Sequence, residues 1–270
     1  WEKRPLKDRY DVVIIGAGVH GLSTAYYLGK LGVTDVAVLD KGYIGGGGSA
    51  RTTAIIRANY LTPQGVPFFR ESLKLYEGLA ADLNFNIMFS QSGRLDLGHT
   101  DSSIFGLRQR AEINQLLGVD SRMVGPKEIK ELVPAIDLRE GNTLPIIGAL
   151  HHPPGGVVRH DAVVWGYGRG AARQGAEIHP FTEVTAITQE NGRVTGVSTP
   201  DGRIEAGTVL SATAGWSSTI AKMLDLELPI VTHPLQAFVT EPLKPFMRTS
   251  ISSANLHVYV YQTDRGEVVV

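Results

Sequence analysis

Tyr10 to Asp40, YDVVIIGAGVHGLSTAYYLGKLGVTDVAVLD, reads as strand, glycine turn, helix and strand. Asp11-Val12-Val13-Ile14-Ile15 is the β-branched run expected of a parallel strand buried on both faces. Gly16-Ala17-Gly18-Val19-His20-Gly21 follows at once with GxGxxG spacing. Leu22, Ala25, Tyr26 and Gly29 then share one helix face, and Gly32 ends the helix. Val36-Ala37-Val38-Leu39 forms a second strand with Asp40 at its C-terminal end. Gly16 permits the tight turn, Gly18 lets the backbone approach a pyrophosphate, and Gly21 lets helix and strand pack closely. Phosphates would meet free N–H groups at the positive end of the helix dipole. Asp40, about 20 residues on, would accept hydrogen bonds from ribose hydroxyls. A glycine turn without ligand can show the same GxGxxG. The strand before it, the helix after it and the distant acid together predict a dinucleotide site.

Working outward, the chain has 270 residues, room for roughly two domains on a prior of about 150 residues each. A hydrophobic fraction of 43% and a charged fraction of 20% describe an ordinary globular protein. A net charge of −1 leaves no basic footprint for nucleic acid. No apolar run reaches the roughly 18 residues that span a membrane. The absence of Cys excludes disulfides, thiolate metal sites and thiol catalysis, and fits a cytoplasmic enzyme. The chain starts at Trp1 without Met and stops within the apolar run Val268-Val269-Val270. The expectation is a fragment whose C-terminal segment is missing.

After Asp40 comes Lys41-Gly42-Tyr43-Ile44-Gly45-Gly46-Gly47-Gly48-Ser49-Ala50-Arg51-Thr52-Thr53. Four consecutive glycines carry a backbone entropy cost. They suit a backbone passing tightly against a flat or phosphorylated ligand; the alternative is a flexible linker. Ser49, Arg51, Thr52 and Thr53 add donors directly after them, which favours the ligand. Arg57 follows the pair Ile55-Ile56. Its guanidinium fork could hold a carboxylate through two parallel hydrogen bonds. From spacing alone an ion-paired or surface arginine is the favoured reading.

Pro63 to Asn84 has the apolar face of a helix, Ser92 to Gly98 alternates like a strand, and Asp101 to Leu117 is a helix capped by Asp101 or Ser102. Gly125 to Leu132 is a short helix ending before Pro134. Helices and a strand without βαβ alternation suggest an inserted lobe. His151-His152-Pro153-Pro154-Gly155-Gly156 reads as a loop, with no acidic or thiol partner at ligand spacing, so no metal is expected. Asp161 is a natural N-cap for a helix over Ala162 to Gln174, which places His160 just before it. By residue type His160 is a half-buried histidine satisfying a loop carbonyl. From Glu177 to Leu210, β-segments around Val184, Val194 and Ile204 are joined by Asn191-Gly192 and Asp201-Gly202, a hairpin signal. The last runs into Ser211-Ala212-Thr213-Ala214-Gly215-Trp216, small residues that again allow close approach to a ligand. Leu228 to Thr240 and Leu256 to Tyr261 alternate as strands. Tyr259, Tyr261 and His257 then share a face, as a pocket wall or as ordinary sheet aromatics.

Taken together, these pieces resemble the FAD-dependent amine oxidoreductases of the D-amino-acid oxidase type. The resemblance rests on the opening glycine motif, the β-meander and Ala212-Thr213-Ala214-Gly215-Trp216. Within that group the chain is similar, over nearly its whole length, to the β subunits of heterotetrameric sarcosine oxidases. The most specific stretches are Gly45 to Gly48, Ile55-Ile56-Arg57-Ala58-Asn59-Tyr60-Leu61, Gly155 to Gly166 and His233 to Val239. The resemblance implies an α/β fold: a Rossmann-like FAD-binding domain with an interleaved α+β substrate domain of antiparallel sheet plus helices, truncated at the C-terminus. The expected division is 10–60 with 155–225 for FAD, and 61–154 with 226–270 for substrate and interface.

The resemblance further implies non-covalent FAD, and FMN linked covalently to His160 at an interface with a large α subunit. It reverses the reading of Arg57, which becomes the anchor for a substrate carboxylate, with Tyr60 and Tyr259 as further catalytic candidates. The cofactor candidates are Gly16, Gly18, Gly21, Asp40, Lys41, Gly47, Gly48, Ser49, Arg51, Thr52, Thr53, His160, Val184, Ala214, Gly215 and Trp216. Where relatives carry a second histidine two places after His160, this chain has Ala162, so His160 is the only attachment candidate in that stretch. The implied reaction is oxidation of sarcosine to an imine. Its products are glycine, formaldehyde or methylene-tetrahydrofolate, and hydrogen peroxide. The α, γ and δ subunits and tetrahydrofolate are the implied partners. The other readings are a dye-linked, proline-type dehydrogenase subunit and a non-catalytic flavin-binding electron-transfer subunit.

Overall fold

A computed structural model of the chain describes residues 4–139 and 141–270. The chain opens with β1 (Arg9–Ile15), α1 (Val19–Lys30) and β2 (Val36–Leu39). Next come β3 (Ile55–Ile56), α2 (Gly65–Leu83), β4 (Arg94–Gly98), α3 (Asp101–Leu116), β5 (Arg122–Val124) and α4 (Pro126–Leu132). After them are β6 (Gly148–His152), β7 (Gly156–Val157), α5 (His160–Arg173), β8 (Glu177–His179), β9 (Ala186–Glu190), β10 (Arg193–Thr199) and β11 (Gly202–Ser211). The short helix α6 (Ser217–Lys222) precedes β12 (Ser250–Ser253), β13 (Val258–Gln262) and β14 (Val268–Val269).

These elements form two compact units. The first contains the described residues up to Thr52, with Ala81–Ile87 and His160–Pro234; the second contains Thr53–Ala80, Met88–Arg159 and Leu235–Val270. The division departs from the expected one at its edges. Arg57 and Tyr60 belong to the second unit, and a piece at the end of α2 belongs to the first.

The first unit is built on one sheet in the order β8-β2-β1-β11-β10-β9. Strands β8, β2, β1 and β11 are parallel, with Val12 opposite both Val36 and Thr208. The β-branched run Val12–Ile15 of β1 is accounted for by this central position in the sheet. Strands β10 and β9 return antiparallel. Asn191 and Gly192, at φ 52° and 74°, form the left-handed turn between them. Tyr10, Val13, Ile15, Ala37, Leu39, Val184, Val197 and Ile204 share a core. Helices α1 and α5 pack against each other through small residues. A Cβ on Gly29 would stand 2.3 Å from Gln174 Cβ, and one on Gly170 would stand 2.8 Å from the Tyr26 ring.

The second unit carries a sheet in the order β14-β13-β12-β4-β6-β5 and the small pair β3-β7. β12 and β4 run parallel, and the remaining neighbours in the larger sheet are antiparallel. Its core includes Leu95, Leu97, Val124, Ile129, Ala149, Met247 and Val268.

Several local expectations need correction. His151 and His152 lie on β6 and are buried, not in a loop, because the strand pairs with β4 on one side and β5 on the other. No strand is assigned over Leu228–Thr240. Only Val239 bridges to Val269, and the prolines at 229 and 234 withhold ladder N–H groups. His257 is left-handed at φ 49° in the turn before β13, so it does not share the strand face of Tyr259 and Tyr261. Helix α3 is capped by Thr100, which exchanges hydrogen bonds with Ser103, rather than by Asp101 or Ser102. Helix α5 starts at His160, which puts Asp161 inside its first turn instead of at the cap.

Candidate functional site

In the first unit the glycine turn forms a cradle. Gly16 is left-handed at φ 110°, and a Cβ there would stand 2.5 Å from the Ala212 carbonyl oxygen. A Cβ on Gly21 would collide with Gly16 O at 1.9 Å. The turn is thus closed to side chains on both sides. Gly18 caps α1 without a side chain, and no acid stands in the first helical turn. Ser49 Oγ accepts from Val19 N–H at 2.9 Å, and the first helical bond runs from Leu22 N–H to Gly18 O at 3.0 Å. The N–H groups of His20 and Gly21 are left as orphan donors. With the helix dipole behind them they can receive an anionic group.

Asp40 secures the same turn from β2. Its Oδ2 accepts from Ala17 N–H at 2.7 Å and its Oδ1 from Gly42 N–H at 2.8 Å. Each oxygen keeps a second lone pair, directed at neither backbone group, for a ribose hydroxyl. The glycine run is compact. Gly45 N–H donates to Ala17 O at 2.9 Å, and Gly45 meets Val164 of α5. Arg51 Nη1 donates to the carbonyls of Gly46 and Gly47. A Cβ on Gly47 would lie 3.8 Å from the Trp216 ring, and one on Gly48 3.9 Å from Ala214 Cβ. Lys41 Nζ sits 4.8 Å over the exposed Trp216 ring. Gly16, Gly18, Gly21, Asp40, Lys41, Gly47, Gly48, Ser49, Arg51, Ala214, Gly215 and Trp216 therefore form a continuous set. Val184 points into the core. His160 is half-buried at the start of α5. Thr52 closes the first unit and Thr53 opens the second.

In the second unit a charged cluster surrounds Asp96 on β4. Asp96 is buried and accepts from Arg94 Nε and Nη2 at 3.1 and 2.9 Å, from Ser252 Oγ at 2.5 Å and from Asn59 Nδ2 at 2.7 Å. Arg110 Nη1 lies 3.5 Å away. Burial works against the charge of Asp96, but Arg94, the Ser252 hydroxyl, Arg110 and Arg57 outweigh it and hold the carboxyl below its ordinary range. The register places Tyr259, Ser252 and Asp96 in one cross-strand row.

Arg57 follows β3. Its Nη1 donates to Asn59 O and Oδ1 at 3.1 and 3.0 Å, and its guanidinium carbon lies 4.0 Å from the Tyr60 ring centroid. Tyr60 in turn stacks on Phe69 at 3.7 Å. Burial lowers the Arg57 pKa, and the neighbouring Arg94 adds to the effect. Nε and Nη2 of Arg57 donate to no partner among the described residues. Three arginines thus surround one carboxylate, and Arg57 alone of the three makes no direct hydrogen bond to it, reaching it through Asn59 instead. Such a site favours a carboxylate ligand.

His152 supports this region. Ala58 N–H donates to its Nε2 at 3.2 Å, which makes Nδ1 the donor to Asp120 O at 2.6 Å. Asn59, Arg94, Asp96, Arg110 and Ser252 are not among the sequence candidates. The available signal is Arg94 and Asp96 alternating with Leu95 and Leu97, two charges on one face of a strand that is otherwise apolar.

The fold and cradle define a dinucleotide-binding α/β protein. The family model described as FAD dependent oxidoreductase matches residues 11–270, and the chain belongs to that family. The cradle fits the cofactor the family name specifies: the glycines leave no room for side chains, and the helix start offers uncapped donors. The chain is 47% identical over 270 residues to sarcosine oxidase subunit beta of Rhizobium meliloti, and 43% identical over 271 residues to that of Rhodobacter capsulatus. Both matches cover all of this chain, which spans 65% of the length of each relative. Among solved structures it resembles L-proline dehydrogenase from P. horikoshii, with a TM-score of 0.89 and 28% identity over 98% of this chain and 70% of that one. It also resembles glycine oxidase from Bacillus cereus, with a TM-score of 0.81 and 27% identity over 96% of this chain and 70% of that one. No helix among the described residues is long and apolar enough to cross a membrane.

Proposed function

We propose that the chain is the FAD-binding, substrate-holding part of an amine oxidase acting on N-methyl amino acids, with sarcosine as first substrate. The observation that carries the proposal is Arg57, half-buried over Tyr60 with two donors free. Arg57 binds the substrate carboxylate through parallel N–H···O bonds and so fixes where the amine carbon lies. Tyr60 holds the guanidinium plane from one face, and Tyr259 lines the same sheet row as Asp96. The substrate loses a hydride equivalent from carbon and a proton from nitrogen to give an imine. Water then divides the imine into glycine and formaldehyde, or tetrahydrofolate takes the one-carbon unit. Bound FAD supplies the two-electron acceptor, with oxygen as the final oxidant and hydrogen peroxide as product. The residues that hold it are the Gly16–Gly21 turn, Asp40, the Gly45–Ser49 loop and Ala214-Gly215-Trp216.

Identity to sarcosine oxidase subunit beta supports the substrate assignment, and its printed name supports partner subunits, which we assign as α, γ and δ. FMN joined to His160 belongs to the same proposal; the ring's half-exposed place at the start of α5 makes it reachable.

The test uses the full-length protein produced with its partner subunits. Anaerobic sarcosine should bleach the flavin band, and Arg57→Lys should raise the half-saturating concentration by about tenfold or more. Acid precipitation should leave flavin in both pellet and supernatant, and His160→Ala should empty the pellet. A second reading, a proline-type dehydrogenase, is favoured by the likeness to L-proline dehydrogenase. Bleaching by proline but not sarcosine, with slow oxygen consumption, would select it.

A further inference from the structure

We propose that Asn59 and Asp96 are positioning residues for Arg57: they fix the direction of its guanidinium while leaving its charge for the substrate. The inference rests on the reading of Arg57 as the carboxylate anchor.

Asn59 is fully buried between two partners of opposite character. Arg57 can only donate, and the ionised Asp96 can only accept. The Asn59 amide therefore has one satisfied orientation, with Oδ1 toward Arg57 Nη1 at 3.0 Å and Nδ2 toward Asp96 Oδ2 at 2.7 Å. Asn59 also offers its backbone oxygen to the same Nη1 at 3.1 Å. One arm of the guanidinium is held twice by a single residue. The ring of Tyr60 covers one face of the guanidinium.

The other end of the chain is equally constrained. Asp96 lies within β4, where both neighbouring strands fix its backbone. Arg94 grips Oδ1 through two nitrogens, and Ser252 on β12 adds a third donor to the same oxygen. The rigid part of the second unit is thereby connected to the turn after β3 through three side chains.

The amide between them decides the chemistry. A carboxylate placed directly on Arg57 would form a closed ion pair, and a substrate anion would have to displace it. An amide passes on orientation without passing on charge. Arg94 and Arg110 occupy Asp96 instead, so Arg57 keeps its positive charge and two donors.

The test is anaerobic stopped-flow reduction of the full-length holoenzyme by sarcosine, which separates the dissociation constant from the limiting reduction rate. Sodium acetate, a non-reacting carboxylate, is titrated in parallel by its effect on the flavin spectrum. Asn59→Ala should raise both dissociation constants by about tenfold, with the limiting rate within about threefold of the parent. In an Arg57→Lys background the same change should add less than about twofold, because the relay then has no fork to orient. Should Asn59→Ala fail to fold, Ser252→Ala carries the test. It leaves Arg57 and Asn59 in place, loosens Asp96 and should raise the constants by about two- to fivefold. Unchanged constants in Asn59→Ala or Ser252→Ala, with Arg57→Lys weakened, would overturn the relay and leave Arg57 as anchor. Full additivity of Asn59→Ala and Arg57→Lys would also overturn it. Unchanged constants in Arg57→Lys itself would remove the anchor, and the relay with it.

Discussion

His152 shows how one buried side chain serves two elements and sets a pH dependence. Its Nε2 accepts from Ala58 N–H, and its Nδ1 donates to Asp120 O. Burial lowers its pKa, since a second proton would charge the ring away from water. The unfolded chain takes that proton near the ordinary value of about 6.5. The stability His152 confers is therefore complete above that pH and is lost as pH falls through the window below it. The slope is at most about 1.4 kcal/mol per pH unit for this residue. Urea melts of the full-length protein at pH 7.5, 6.5 and 5.5 should show falling stability. His152→Leu should lower stability at pH 7.5 by about 1–3 kcal/mol, because Ala58 N–H is left buried without an acceptor. It should also flatten the pH slope; an equal slope in the variant would assign the dependence elsewhere. The residue types alone placed these histidines in a loop, because the Pro-Pro-Gly-Gly that follows them hides the end of β6.

At the scale of elements, close packing of α1 on α5 decides the sign of a substitution that propensity alone would get wrong. Glycine in a helix interior is less favourable than alanine by about 1 kcal/mol. On that basis Gly29→Ala should stabilise α1. The new Cβ would instead stand 2.3 Å from Gln174 Cβ and 3.0 Å from its Cγ, closer than side chains approach. Thermal melts should show Gly29→Ala destabilised by about 1–3 kcal/mol, as for an overpacked site. An unchanged or raised melting temperature would mean that Gln174 moves aside at no cost. The helix and strand of this motif were legible from periodicity, and so was the Asn191-Gly192 turn. The cap of α3 was not, because Thr100, Asp101 and Ser102 are all competent caps and only the Thr100–Ser103 exchange selects among them.

At the scale of the molecule, the two units have separate cores, and only the first contains the cradle. A ligand that binds the native state alone stabilises it by about 2.7 kcal/mol at a hundredfold excess over its dissociation constant. Hydrogen exchange of FAD-depleted full-length protein, with and without added FAD, should show this gain over 10–52 and 160–222. The sheet of β4, β6 and β12 should gain less. Protection confined to β4, β6 and β12 would place the cofactor outside the glycine cradle.

What the sequence determined by itself is the local, periodic part. The β-branched strand, GxGxxG, the helix and Asp40 follow one another within about 30 residues, and each acts on its neighbours in the chain. The β-meander and the small residues at Ala212 to Trp216 were readable for the same reason. Only the tertiary structure decided which side chains gather around Asp96. Arg57, Asn59, Arg94, Asp96, Arg110 and Ser252 come from four separate places in the chain, and register alone sets Ser252 beside Asp96. Tertiary pairing also moved His151 and His152 from loop to strand and His257 from strand to turn. The physical reason is that propensity reports a residue's preference within its own segment, whereas the charge on Asp96 survives burial only because side chains brought from distant segments surround it.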